Sequence, residues 1–174
     1  TDLMLGHEVG HALFTPQGEI HEVMKKGNLY KGFVNIVEDA RIEKMIQSKF
    51  PGLRPIFKDA YNELMDNNFF GTAGADIKSY NFIDRLNLHF KAGIRAGVEF
   101  NEEEMTYVKR MENLRTWDEV ITLSDDLYEY CKGKEEKDQW GEPWHTDVSD
   151  NSKPAKVIVV SAGKKHPVAG NTMF

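Results

Sequence analysis

The chain has 174 residues, of which 40% are hydrophobic and 29% are charged, a composition ordinary for one globular domain with its own core. Its net charge of −6 argues against nucleic acid as the main partner, because phosphate binding needs a basic surface. The single Cys131 excludes an internal disulfide and a cysteine-rich zinc finger, and no apolar run is long enough to cross a bilayer, so we expect a cytoplasmic protein without a membrane partner.

The first predicted helix, ending near residue 14, contains the motif His-Glu-x-x-His at His7, Glu8 and His11. On a helix the two histidines lie one turn apart on one face, so both imidazoles can bind one cation. Glu8 lies about 100° around the helix from His7, beside the metal. In zinc hydrolases the metal lowers the pKa of a water molecule and a nearby carboxylate takes its proton. We therefore predict His7 and His11 as ligands of Zn²⁺ and Glu8 as the general base.

The flanks of the motif are apolar nearly all round the helix, which predicts that this helix is buried. Buried imidazoles need a partner, and a metal ion supplies one. Gly6 and Gly10 are poor helix formers, so their presence indicates close approach by another segment or room for a ligand. The competing interpretation is a chance arrangement of histidines on a solvated helix.

A third ligand is expected from the second long predicted helix, residues 31–48, where carboxylates stand among apolar residues. We predict Glu38 as this ligand, with Asp39 as the alternative. Arg41 could pair with a neighbouring carboxylate, and Asn35 could hydrogen-bond a ligand histidine. The competing interpretation is an ordinary amphipathic helix with a salt-bridged face.

The rest of the chain predicts more helices and then a change of composition. A short helix or strand is expected within 19–30, and further helices are expected at 55–67 and 79–96. Two more helices are expected to begin after the cap residues Asn101 and Thr116. Residues 132–174 are polar, with a strand-like run at 157–160, and are interpreted as a linker or tail. The predicted fold is therefore mainly α, with a helical domain at 1–131.

The two motifs together resemble the gluzincin arrangement of zinc metallopeptidases. The matching residues are His7-Glu8-x-x-His11 and the run from Asn35 to Glu43, which contains Val-Glu-Asp-Ala-Arg-Ile-Glu. More narrowly, they resemble bacterial and tailed-phage proteins with such a module near the N-terminus, many of which carry a von Willebrand A-type domain and are related to a cobalt-chelatase subunit. The resemblance covers about the first quarter of the chain. It departs from the best-known gluzincins at Ile42, where they have an aspartate that supports a histidine.

The resemblance implies a zincin-like helical core and hydrolysis of a peptide or protein substrate. Zincin domains normally place a small sheet before the motif helix, so we expect this sequence to be a fragment of a longer protein. The competing functions are a non-catalytic metal-binding module that works with an ATPase complex, and a metal-free helical bundle. No residue is singled out to stabilise an oxyanion; Tyr30, His89 and Arg41 are the candidates.

Overall fold

The computed structural model describes residues 2–138, which form seven α-helices, two short 3₁₀ turns and no strand. The helices are α1 (Asp2–Phe14), α2 (Ile20–Lys25), α3 (Asn28–Lys49), α4 (Leu53–Asp66), α5 (Phe82–Ala92), α6 (Glu102–Glu112) and α7 (Trp117–Asp138), with 3₁₀ turns at Ile77–Ser79 and Gly93–Ala96. The mainly α prediction is confirmed for this part of the chain. None of these helices is long and apolar enough to span a membrane.

The centre of the fold is α3, which contacts each of the other six helices. Its apolar residues, such as the fully buried Phe33, Val37 and Ile42, enter the core shared with its neighbours. Because α3 is surrounded, its polar residues also enter the interior, including three carboxylates and one guanidinium. Buried charges are costly unless they are paired, so the partners of these groups largely determine what the protein can do.

Two glycines of α1 allow it to pack closely on α3 and α4. A Cβ atom added at Gly6 would lie 2.8 Å from the ring of Phe57 on α4, and one at Gly10 would lie 2.9 Å from the side chain of Ile42 on α3. Contacts this short are not tolerated without displacement of the neighbour. The close approach expected from the glycines is therefore confirmed, and it brings the motif face of α1 to the polar residues of α3.

The prediction that α1 is buried all round is wrong. Leu5 is 66% exposed and Leu13 is 51% exposed, and Val9 between them is also exposed. The reason is that α1 lies at the edge of the bundle and packs closely on α3 and α4 alone among the described helices. It therefore has a buried face with the motif histidines and an exposed apolar stripe, defined by Leu5, Val9 and Leu13.

Helix ends agree with the local sequence signals at several places. The segment at 20–25 is a helix, and Asn101 begins α6 through a capping box with Glu104. The helix predicted at 79–96 is shorter, because α5 ends at Ala92 and continues as a 3₁₀ turn. The last helix, α7, extends to Asp138, past the composition change at residue 132. The strand-like run at 157–160 and the tail from 139 onwards lie outside the described residues.

Candidate metal centre

The two histidines of the motif face one carboxylate of α3, that of Asp39. The Nε2 atoms of His7 and His11 lie 3.2 Å apart. Asp39 Oδ1 lies 3.2 Å from His11 Nε2 and 3.6 Å from His7 Nε2. All three residues are buried. Within residues 2–138, this is the one group of three potential metal-binding side chains whose ligand atoms all lie within 4.8 Å of one another.

The other nitrogen of each imidazole is held by a neighbouring side chain. His7 Nδ1 lies 2.9 Å from Glu43 Oε1, and a carboxylate can only accept, so this nitrogen carries the proton. His11 Nδ1 lies 3.0 Å from the hydroxyl oxygen of Thr15, which donates its own hydrogen to Glu38 Oε1 at 2.6 Å. The threonine oxygen must therefore accept from His11 Nδ1. In their neutral forms, both imidazoles therefore carry the proton on Nδ1 and direct the lone pair of Nε2 towards Asp39 Oδ1, a contact that needs a proton or a cation between the two atoms.

Three acceptor atoms therefore converge on one point between α1 and α3. Two imidazole lone pairs and a carboxylate oxygen repel one another at these distances unless a proton or a cation lies among them. In a tetrahedral zinc site with bonds of 2.0–2.1 Å, neighbouring ligand atoms are roughly 3.3 Å apart. The three separations here are 3.2, 3.2 and 3.6 Å. The donor atoms and their spacing thus fit a small divalent cation, and the histidine Nδ1 contacts match those that usually orient zinc ligands.

The structure places Glu38, the predicted third ligand, away from the two imidazoles. Glu38 is completely buried, and its carboxylate turns away from the two imidazoles towards Arg41, which donates to it from Nε at 2.7 Å and from an amino nitrogen at 2.6 Å. The alternative, Asp39, takes the position beside the histidines. Glu38 still contributes to the site through Thr15, because their hydrogen bond fixes the hydroxyl that holds His11. The predicted pairing of Arg41 with a carboxylate is confirmed.

A largely buried lysine from α5 completes the polar cluster. Lys91 Nζ donates to Asp39 Oδ2 at 3.1 Å, to Glu43 Oε1 at 2.9 Å and to the hydroxyl oxygen of Tyr61 at 3.1 Å. Tyr61 in turn donates to Glu43 Oε1 at 2.6 Å. Burial alone would lower the pKa of Lys91, but the two carboxylates raise it well above its usual value. The ammonium therefore remains charged at neutral pH.

The carboxylates of the cluster are correspondingly ionised. Burial acts to raise the pKa of Asp39, but Lys91 and the two histidines outweigh it and lower the pKa below its usual value. The pKa of Glu43 is lowered for the same reason, with Lys91 and His7 opposing the effect of burial. Burial also acts to lower the pKa of His7, but Asp39 and Glu43 reverse this and raise it above 6.5. The cluster therefore attracts positive charge to the point between the imidazoles.

Glu8, the predicted general base, lies on the flank of α1 next to His7. It is partly exposed, whereas the two histidines are buried. Within the described part of the chain, its carboxylate has no hydrogen bond or ion pair to another side chain. A carboxylate that is not committed to a structural partner can accept a proton from a molecule held beside the histidines.

Four residues of the polar cluster around the histidines and Asp39 were not predicted from the sequence: Thr15, Glu43, Tyr61 and Lys91. Glu43 had a signal, since it lies four residues after Asp39 and so on the same face of α3. The role expected for Asn35 is instead filled by Glu43 and Thr15, which hold the two imidazoles. Asn35 itself is buried, and its Oδ1 atom has no partner within the described residues.

The three residues considered for stabilising an oxyanion make their contacts with groups other than the two imidazoles. Tyr30 contacts Tyr128 and the ammonium of Lys26, and His89 packs on Phe90 and Phe100. Arg41 is engaged with Glu38 and with two backbone carbonyls.

No family model, curated protein or solved structure matches this chain.

Proposed function

We propose that the protein is a zinc-dependent hydrolase that cleaves peptide bonds, with His7, His11 and Asp39 as metal ligands. The observation that carries this proposal is the convergence of two Nε2 atoms and one carboxylate oxygen, each within 3.2–3.6 Å of the others. Both imidazoles are held from behind, so their lone pairs are directed before any metal binds.

The number of ligands favours catalysis over a purely structural role. Structural zinc sites are closed by four protein ligands, whereas catalytic sites have three and leave the fourth position open. Within residues 2–138, His7, His11 and Asp39 supply three such side chains. When bound there, a zinc ion would acidify a water molecule and polarise a substrate carbonyl.

In this proposal Glu8 is the catalytic residue that moves the proton. Its carboxylate accepts a proton from the attacking water and then transfers it to the leaving amine. This proton transfer requires a group that can reach both the water and the amine. Its partial exposure and lack of another side-chain partner among the described residues suit that role. Glu43 and Thr15 hold the histidines in orientation and do not touch the substrate.

The variant Glu8→Gln tests the proposal because it preserves size and helix formation but removes the basic oxygen. The purified protein is loaded with one equivalent of zinc and incubated with a mixture of unstructured peptides, and cleavage products are identified by mass spectrometry. We expect the wild-type protein to cleave peptides and Glu8→Gln to bind zinc equally but lose at least about 100-fold in rate, the typical contribution of general base catalysis. Equal cleavage by both proteins would exclude Glu8 as the base.

A non-catalytic binding module is the second candidate, and the exposed apolar stripe of α1 favours it. Leu5, Val9 and Leu13 form an apolar surface on the helix that carries the metal ligands. In this case the metal would stabilise the fold while α1 contacts another protein, such as a component of an ATPase complex. Zinc-loaded wild-type protein that cleaves no peptide, with Glu8→Gln unchanged in stability, would support this candidate over the hydrolase.

A further inference from the structure

We propose that Lys91 is a positioning residue that preforms the metal centre: it acts as an internal cation for the two carboxylates and directs a single oxygen of Asp39 at the metal. This inference rests on the proposed metal site, because its second part has meaning only if an ion binds there. Lys91 is the largely buried lysine that α5 places beside Asp39.

The contacts of Lys91 show that it links the elements around the site. Its ammonium lies 3.1 Å from Asp39 Oδ2 and 2.9 Å from Glu43 Oε1, and its side chain is only 14% exposed. Asp39 and Glu43 lie one turn apart on α3, and each is also more than 90% buried. Two carboxylates so close in the interior repel each other, and a cation between them removes that repulsion.

The buried cation of α3 itself, Arg41, does not perform this role. Arg41 directs its guanidinium at Glu38 and at the carbonyl oxygens of Phe14 and Arg115. Among the lysines and arginines of the described residues, Lys91 is therefore the one that pairs with Asp39 and Glu43 in the metal-free protein. Without it, these carboxylates would need the metal ion itself, and folding would become dependent on metal.

The lysine also determines how Asp39 can bind a metal. Its Oδ2 atom is held by Lys91 on one side, while its Oδ1 atom faces the two imidazoles on the other. A bidentate carboxylate would have to withdraw Oδ2 from the ammonium. Lys91 therefore keeps the aspartate monodentate, which leaves a coordination position free for a water molecule or a substrate.

The test compares thermal unfolding of the wild type, Lys91→Met and the control Lys109→Met, each with a metal chelator and with one equivalent of zinc. Methionine preserves much of the length of the lysine side chain without its charge, and Lys109 is exposed on α6. We expect the chelated Lys91→Met protein to unfold roughly 10 °C or more below the wild type, or to be unfolded already. Zinc should remove most of that deficit, while Lys109→Met follows the wild type throughout.

Visible absorption of the cobalt-loaded proteins gives a second readout that a purely structural lysine would not change. We expect the wild type to give the intense spectrum of a four-coordinate ion and Lys91→Met the weaker spectrum of a five-coordinate ion, because Asp39 can then bind through both oxygens.

The outcomes separate this inference from the proposed function. If the wild type binds no zinc, the metal site fails and this inference fails with it. If the wild type binds zinc but Lys91→Met loses the same stability with and without zinc, or fails to fold in both, the lysine is merely structural. In that case the inference is refuted while the metal site remains. An unchanged cobalt spectrum in Lys91→Met would refute the monodentate assignment.

Discussion

Replacing Arg41 by methionine should cost about 4 kcal/mol of unfolding free energy, because it leaves a buried carboxylate without its cation. Arg41 is 3% exposed and Glu38 is completely buried. The guanidinium donates two hydrogen bonds to Glu38 at 2.6 and 2.7 Å, one to the carbonyl of Phe14 at 2.8 Å and one to the carbonyl of Arg115 at 3.1 Å. Breaking such a buried pair typically costs about 3–5 kcal/mol.

A loss of that size is a large part of the roughly 5–15 kcal/mol that stabilises an ordinary domain. Urea unfolding followed by circular dichroism measures it directly, provided that the slope of the transition is unchanged. Arg110→Met is the matched control, since Arg110 pairs with Asp126 at 2.7 Å but both side chains are more than 40% exposed. An exposed pair contributes less than about 1 kcal/mol. If Arg41→Met costs no more than Arg110→Met, the buried pair does not stabilise the fold as argued.

Three further predictions concern the packing of α1 and the support of its histidines. Gly6→Ala should destabilise the protein by about 1–2 kcal/mol, because the clash of the added methyl group with the facing aromatic ring costs more than the gain in helix propensity returns. Gly133→Ala, whose methyl group would enter open space, should stabilise the protein by up to about 1 kcal/mol. Urea unfolding of the two variants distinguishes a loss of stability from a gain. Thr15→Val and Glu43→Gln should each weaken zinc binding by about 10–100-fold, because each variant loosens the Nδ1 contact of one of the two histidines. A calorimetric titration measures the affinity. An unchanged affinity in both variants would show that these contacts do not orient the imidazoles. Because the pKa of His7 is raised above 6.5, its charged form stabilises the metal-free protein fully below about pH 6.5, and this stabilisation is lost as the pH rises through the raised pKa. In the presence of chelator, the unfolding temperature should therefore decrease as the pH rises above about 6.5. The variant His7→Gln should lack that part of the decrease.

The helices and the pairing of His7 with His11 on one face were predictable because their signals are local. Helical spacing of apolar residues and cap residues such as Asn101 depend on a few neighbouring positions, and the motif places His7 and His11 one turn apart wherever the helix packs. These features need no knowledge of the tertiary structure.

The carboxylate that faces the two histidines could not be predicted with the same certainty, because Glu38 and Asp39 are adjacent and point about 100° apart. Which of them faces α1 depends on the rotation of α3, and hydrophobic periodicity does not reveal that rotation when a helix is buried on every side. Lys91 had no local signal at all, since it is separated by 52 residues from Asp39 in the sequence. The exposed stripe of α1 was missed because an apolar helix at the edge of a bundle has the same composition as one in its core.

A calorimetric zinc titration of the metal-free protein tests most directly whether His7, His11 and Asp39 bind one divalent cation. The wild type and the control His21→Ala, which alters an exposed histidine of α2, should each bind one equivalent. His11→Ala and Asp39→Ala should lose about 100-fold or more in affinity, beyond what loss of a supporting contact causes. A wild-type protein that binds no zinc, or an Asp39→Ala variant that binds it as tightly as the wild type, would contradict the assignment of the site.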